Sequence, residues 1–384
     1  MSAQSIDPSP TTVSYVSSKT EINGILKFTI KGVNVSFANA LRRTILSDIP
    51  TAAFRVFPHS KNEANIVTNT SRLNNEILKQ RLGCIPIHLA DHSLPFGELL
   101  VEINARNTTD SLMLVTTESF KVKNTKTDKY LDTAVVRKIF PPDPLTGDYI
   151  LFARLRPRIS NEVPGEELSV TAKISLQTAR DDGMYNVCSI CSYGMTPDKS
   201  KQVAAWTERL KTLDPDFDEG TVAIMQQDWY NLESERIFIE DSFDFAIRTI
   251  GVFANGELVQ KACNILINHL EDIAELARER KLPVEKSIST LPNSFDITLV
   301  NEDYSVGKVI EFALHQNEYK KKTLSYVGFR KNHPHDTDSI IRAALKSESE
   351  DPKSIVYNMV QKACSYAVGI LNEVATEFQD NSSN

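Results

Sequence analysis

The 384-residue chain has little of what marks several large protein classes, and each shortage excludes something. Its apolar stretches are short and broken by charge, so none supplies the ~20 consecutive apolar residues that a membrane span requires. The first twenty residues are rich in Ser, Thr and Pro and lack a basic start followed by an apolar core, which is not the pattern of a secretory signal. Five cysteines (Cys84, Cys188, Cys191, Cys263, Cys364) are too few and too scattered for a disulfide framework; mostly free thiols in a reducing compartment are expected. No G-x-x-x-x-G-K-S/T loop, no Ser/His/Asp spacing and no acidic triplet of a polymerase centre is present, so neither catalytic residues nor a cofactor site are expected. Positive charge is not in excess either. The formal net charge is -7, which argues against nucleic acid as the main partner, because phosphate-gripping proteins usually display a basic face.

What is present is an ordinary globular composition, 41% hydrophobic and 24% charged, at a length that suits two or three domains. Near the start, Ile22–Lys31 alternates as a strand, Gly32-Val33-Asn34 forms a turn, and a helix follows from Ser36, the expected N-cap. Phe37, Leu41 and Ile45 stripe one face of that helix, and Pro50 closes the unit. Far downstream the plan returns: strand Ser294–Val300, turn Asn301-Glu302-Asp303, and a helix from about Ser305 carrying Val306, Ile310 and Leu314. A constant offset places Asn34 on Asp303, Ser36 on Ser305, Phe37 on Val306, Leu41 on Ile310 and Ile45 on Leu314. So wide a separation predicts duplicated domains rather than a solenoid.

A long amphipathic helix completes each copy. Leu258–Arg280 has Leu266, Leu270 and Ile273 on its stripe, and Ser354–Phe378 has Val360, Ala367 and Val374. Two readings of these stripes stay open: each helix packs on its own sheet, or the two also pack on each other across a pseudo-dimer. Between the halves of the first copy, short alternating runs (Gly97–Asn104, Ser111–Val122, Tyr149–Leu155, Leu168–Leu176) and turn signals at 141–147 and 164–165 predict a mainly β insert.

The expected fold is therefore α+β, two strand–helix modules with the first interrupted by the insert. Its divisions are a flexible tail at 1–19, a first module at 20–50 plus 236–280, the insert at 51–235, a linker at 281–293, a second module at 294–378 and a tail at 379–384.

The run Phe28-Thr29-Ile30 through Asn39-Ala40-Leu41-Arg42-Arg43-Thr44-Ile45-Leu46 resembles the strand and N-A-L/I-R-R helix of the α-like subunits of cellular RNA polymerases. Arg81-Leu82-Gly83-Cys84-Ile85-Pro86-Ile87 is similar to the G-L-I-P-L segment of the third subunit of RNA polymerase II and its archaeal counterpart. Thr178-Ala179-Arg180-Asp181-Asp182-Gly183 and Pro197 stand where that family has its Gly-rich segment. The later half resembles the eleventh subunit, through Asn301–Ile310, Tyr326–Pro334 and the strand Ser339–Leu345. Both subunits in one chain look like the arrangement of nucleo-cytoplasmic large DNA viruses.

The resemblance implies a non-catalytic assembly subunit of a DNA-directed RNA polymerase, a component of a nucleotidyltransferase complex rather than an enzyme by itself. It implies an intramolecular pseudo-heterodimer whose interface holds Phe37, Leu41, Ile45, Val306, Ile310, Leu314, Leu266, Leu270, Ile273, Val360, Ala367 and Val374. Asn39, Arg42 and Arg43 would face a large subunit, since a guanidinium suits a fixed carboxylate or carbonyl; the second copy has Glu311 and Phe312 at the arginine positions. The implied partners are the largest and second-largest subunits and small zinc-binding subunits, with no membrane, no direct nucleic-acid binding and no homo-oligomer needed. If the origin is viral, the location is the virion and host cytoplasm, with the nucleus also open and secretion excluded.

One departure concerns zinc. Third-subunit relatives often carry a cysteine cluster after the G-L-I-P-L segment, whereas Ala90–Phe96 has no cysteine, which implies that the zinc loop is lost. Cys188 and Cys191 form the only C-x-x-C, and a structural zinc site normally needs four ligands. Packed thiols, half of an intersubunit metal site and a redox pair remain open for them. A metal or redox protein and a nucleic-acid-binding module are the competing functions. His333-Pro334-His335 is read as a turn, and Asp214–Glu219 as a solvated loop rather than a cation site.

Overall fold

The computed structural model describes residues 14–90, 96–160, 162–214 and 217–379. Most of the expected tails and of the cysteine-free stretch at 90–96 therefore lie outside the described residues. The chain divides into two compact units, one of 1–44, 190–248 and 255–384 and the other of 45–189 and 249–254.

The first unit holds two four-stranded sheets. In one, Ile25–Lys31 runs antiparallel between Val16–Ile22 and Phe238–Thr249, with Cys188–Pro197 at the far edge. The register sets Phe28 opposite Phe245 and Ile30 opposite Phe243, a line of buried apolar side chains on one face. In the other, antiparallel throughout, the order is Val284–Lys286, Ser294–Leu299, Ser339–Leu345, Leu324–Arg330. Two boundaries differ from expectation. The strand from Val16 enters the segment read as tail, because residues 16–22 find a partner in the next strand. The segment read as linker holds the strand Val284–Lys286, with Leu282 and Val284 buried.

Each sheet is followed by a short helix, Val35–Ser47 and Tyr304–Leu314, and each module by a long one, Asn255–Arg278 and Pro352–Thr376. The second long helix starts where chemistry allows: Asp351 accepts from the backbone N–H of Ser354 (3.2 Å) and Pro352 occupies the first turn, where no N–H is missed. These two helices make the most extensive helix–helix contact in the chain. Ala262, Ala363 and Ala367, all fully buried, are small enough to permit close approach.

A further correction concerns 199–231. This part of the expected β insert forms two helices, Lys199–Leu210 and Glu219–Asn231, and belongs to the first unit. Trp206 and Trp229 pack together (ring centroids 5.5 Å apart) and Gln202 donates to the carbonyl of Ser234 at 2.9 Å. Asp218, read as part of a solvated loop, caps the second of these helices by accepting from the N–H of Thr221.

The second unit is built on a five-stranded antiparallel sheet, ordered Ala64–Asn69, Glu167–Lys173, Leu99–Arg106, Lys121–Asn124, Lys129–Tyr130. Phe54, Phe120, Phe140 and Phe152 fill its core. Gly83 ends the helix Asn75–Gly83 at a point where a Cβ would collide with the side chains of Met184 and Val56, so a larger residue would displace them.

Asp296 organises the surface of the second sheet of the first unit. Its carboxylate accepts two hydrogen bonds from Arg342 (2.6 and 2.7 Å) and one from Ser287 (2.6 Å), with Arg330 at 3.5 Å. Those bonds, the Arg342 pair first, hold its carboxyl below the usual carboxylate range. A carboxyl depressed in the folded state stabilises the fold fully above its unfolded pKa and loses that contribution as pH falls through the folded value. Asp296→Asn is accordingly expected to cost about 2 kcal/mol at pH 7. The difference from the parent should shrink below about pH 4, as read by urea unfolding at stepped pH.

Candidate subunit-interface site

The two short helices begin alike. The side chain of Asn34 accepts from the N–H of Ser36 at 3.0 Å, and Asp303, its counterpart under the repeat, accepts from Ser305 N–H at 2.9 Å. Ser36 is thus not the N-cap; it lies within the first turn, and its hydroxyl is buried without a hydrogen-bond partner. The repeat also explains Gly307. Phe329 presses so close that a Cβ there would collide with its ring, and the first copy has the small, fully buried Ala38 at the matching position.

All twelve residues expected at the interface are buried, each less than a tenth exposed. The contacts between the two copies are specific. Phe37 meets Phe312 edge to face at 6.0 Å. Phe28 stacks on Phe245 at 5.1 Å and meets Phe378, which follows the second long helix, edge to face at 4.9 Å. His269 of the first long helix lies 2.6 Å from Glu302 in the second copy's turn, and Tyr357 donates to the carbonyl of Leu282 at 3.1 Å. Ile45 alone among the twelve falls, by the division of the chain, in the second unit.

The two arginines of the first short helix part company. Arg43 reaches across to the second copy, with Nη2 2.6 Å from Asp303 and Nε donating to Ser305 Oγ at 2.9 Å. It clamps the start of the second short helix while its side chain stays more than a third exposed. Arg42 instead donates to Asn39 Oδ1 of its own helix at 2.8 Å, both partly exposed. Asn39 also lines a cleft of about 410 Å³ whose walls come from both copies, including Tyr304, Lys308 and Phe312. Sequence reasoning could not separate adjacent arginines on a helix; the separation needs the second copy in place.

Cys188 and Cys191 sit three apart on the strand Cys188–Pro197, so their side chains leave on opposite faces. Burial pushes the Cys188 thiol up to about 11, away from the thiolate that metal binding or redox exchange requires. Cys191 Sγ lies 3.8 Å from the carbonyl oxygen of Arg42. Among the described residues no group of three His, Cys, Asp or Glu side chains could hold a metal ion. His335 N–H donates to His333 Nδ1 at 3.1 Å within the expected turn. Cys263 and Cys364, on the long helices, are pushed by burial to about 12, whereas Cys84 is exposed. Iodoacetamide at pH 8 is therefore expected to alkylate Cys84 in the native chain and the other thiols only after unfolding, as read by intact mass.

A profile of the RNA polymerase Rpb3/Rpb11 dimerisation domain matches residues 27–270. The chain belongs to this family. The match runs from the first sheet, through the insert, into the first long helix; the second copy lies beyond it. Among similar proteins, the chain is 26% identical over 286 residues to the DNA-directed RNA polymerases I and III subunit rpac1 of Dictyostelium discoideum, spanning 65% of this chain and 78% of that protein. Similarity to human RPAC1 is 22% over 284 residues, 63% of this chain and 78% of the relative. A shorter segment of 62 residues is 48% identical to subunit Rpo3 of Pyrococcus furiosus, 16% of this chain and 21% of the archaeal protein. Among the described residues no helix is long and apolar enough to cross a membrane.

Proposed function

We infer that this chain is a non-catalytic assembly subunit of a multisubunit DNA-directed RNA polymerase, acting in transcription as a dimerisation platform. Its membership of the dimerisation-domain family over residues 27–270 carries the reading. The finer proposal is that both halves of the dimer are fused into one chain, an intramolecular pseudo-heterodimer with a third-subunit-like first module and an eleventh-subunit-like second one. In support, the second copy repeats the capped helix of the first, and the copies meet through Phe37 and Phe312, through Arg43 and Asp303, and along the long helices. Fusion raises the effective concentration of the halves, roughly to the mM range for a short connection, so assembly no longer waits on a partner. Viral origin, with a virion and host-cytoplasm location, is part of the same proposal and rests on the fused arrangement.

The proposed partners are the two large catalytic subunits and small zinc-binding subunits. Arg42, with Asn39, is the residue we assign to a large subunit, because among the described residues its guanidinium is bound within its own helix alone. Both C-x-x-C thiols are read as packing groups: the raised Cys188 thiol supports this, and a metal or redox role is not favoured. Purification of the tagged chain from its native source should bring down the large polymerase subunits. Arg42→Ala should lower their recovery severalfold while leaving the melting temperature unchanged. Recovery of the chain without polymerase subunits would remove the reading.

A further inference from the structure

The second unit carries a feature that the assembly role leaves unused. A cleft of about 510 Å³ gathers four arginines, Arg72, Arg81, Arg154 and Arg156, against a single carboxylate, Glu166, in a chain whose net charge is -7. We propose that this cleft binds an acidic peptide segment bearing apolar side chains, supplied by another protein chain.

The carboxylate is already committed. Glu166 is largely buried and takes Arg156 Nε at 2.5 Å while accepting from the backbone N–H of Arg156 at 2.7 Å. Arg81 is fixed by donating to the carbonyl oxygens of Phe152 (2.7 Å) and Leu151 (2.6 Å). That pair of bonds blocks carbonyls along the strand Leu151–Leu155, so a ligand is read by its side chains rather than by adding a strand there. The guanidiniums of Arg72 and Arg154 have no hydrogen bond or ion pair with another described residue, and both residues are exposed. The forked donors of such groups suit carboxylates in pairs.

The apolar side of the cleft decides between classes of anion. Leu112, 53% exposed, offers a surface for a leucine or phenylalanine of the ligand. The one aromatic residue in the lining, Phe152, is 1% exposed, so no ring is presented for a base to stack on. Guanidiniums beside exposed aliphatic surface match an acidic peptide better than a nucleic-acid strand.

Fluorescence anisotropy on the full chain would use a short dye-labelled peptide of mixed glutamate and leucine. Its counterpart with lysine for glutamate, and a dye-labelled single-stranded DNA, complete the probes. The parent chain should bind the acidic peptide, more weakly as salt rises. The double variant Arg72→Glu/Arg154→Glu should bind it roughly tenfold less tightly and gain affinity for the lysine peptide, which a merely misfolded variant could not do. Leu112→Ser should weaken the acidic peptide several-fold without changing the salt dependence. Equal affinity of the double variant and the parent for the acidic peptide would overturn the proposal. Tighter binding of the DNA than of the acidic peptide by the parent would overturn it in favour of nucleic acid.

Discussion

Leu270→Asp is expected to leave the unit that holds the two long helices without a cooperative thermal transition. Leu270 is 1% exposed on the first long helix, whose contact with the second is the most extensive between helices in the chain. A carboxylate there must either lose its hydration, at a cost of several kcal/mol, or take up a proton. Neither restores the packing that leucine gave. Leu270→Ala removes the same contacts without the charge and should lower stability by about 3 kcal/mol, with the spread set by how far the cavity collapses. Circular dichroism melts and urea titrations of both variants test the pair. A transition for Leu270→Asp within a few degrees of the parent would mean that the long helices do not carry the core of this unit.

Phe378→Ala should also cost about 3 kcal/mol, although the residue lies beyond the last helical turn. Its ring is 2% exposed, takes Phe28 edge to face at 4.9 Å and lies 4.7 Å beneath the ammonium group of Lys19. Those partners belong to the first sheet, so the end of the second copy is anchored on the first. Phe28→Ala removes both this contact and the stacking on Phe245 and should cost at least as much. The combined variant should lose less than the two single losses added, with a coupling energy of about 1 kcal/mol. Strict additivity in urea unfolding would show that Phe28 and Phe378 stabilise the fold independently.

These variants test the fold alone, whereas the two arginines divide between fold and partner. Arg43 is more than a third exposed in its side chain, so its bridge to Asp303 is worth little by itself, under about 1 kcal/mol. Its value is positional: it fixes the capping carboxylate at the start of the second short helix. Arg42 carries no such duty and is the better probe of an external partner.

Much of this was legible in the residues. The alternation of Ile25–Lys31, the stripe of Phe37, Leu41 and Ile45, and their return at Ile297, Val306, Ile310 and Leu314 follow from the side-chain periods of strands and helices. Those periods are local, so they survive without a fold to look at. The helices at 199–231 are hard to read from sequence because each buries only one or two side chains and shows no clean apolar stripe, with Val203 and Ile224 exposed. Their capping aspartates, Asp198 and Asp218, were the signal available. Sequence alone does not separate Ser36 from Asn34 as the cap, because a hydroxyl and an amide cap about equally well; the backbone position shows that Asn34 does it.

The sequence by itself determined that this chain has a duplicated strand–turn–helix plan, two long amphipathic helices and the residues that fill their cores, because burial preference is written residue by residue. Tertiary structure alone decided where each polar group points. Arg42 and Arg43 are identical and adjacent, yet a helix turns about 100° per residue, so only one of them faces Asp303. The four arginines of the insert are likewise scattered from 72 to 156 in the chain, and only the closing of the sheet brings their charges to one cleft.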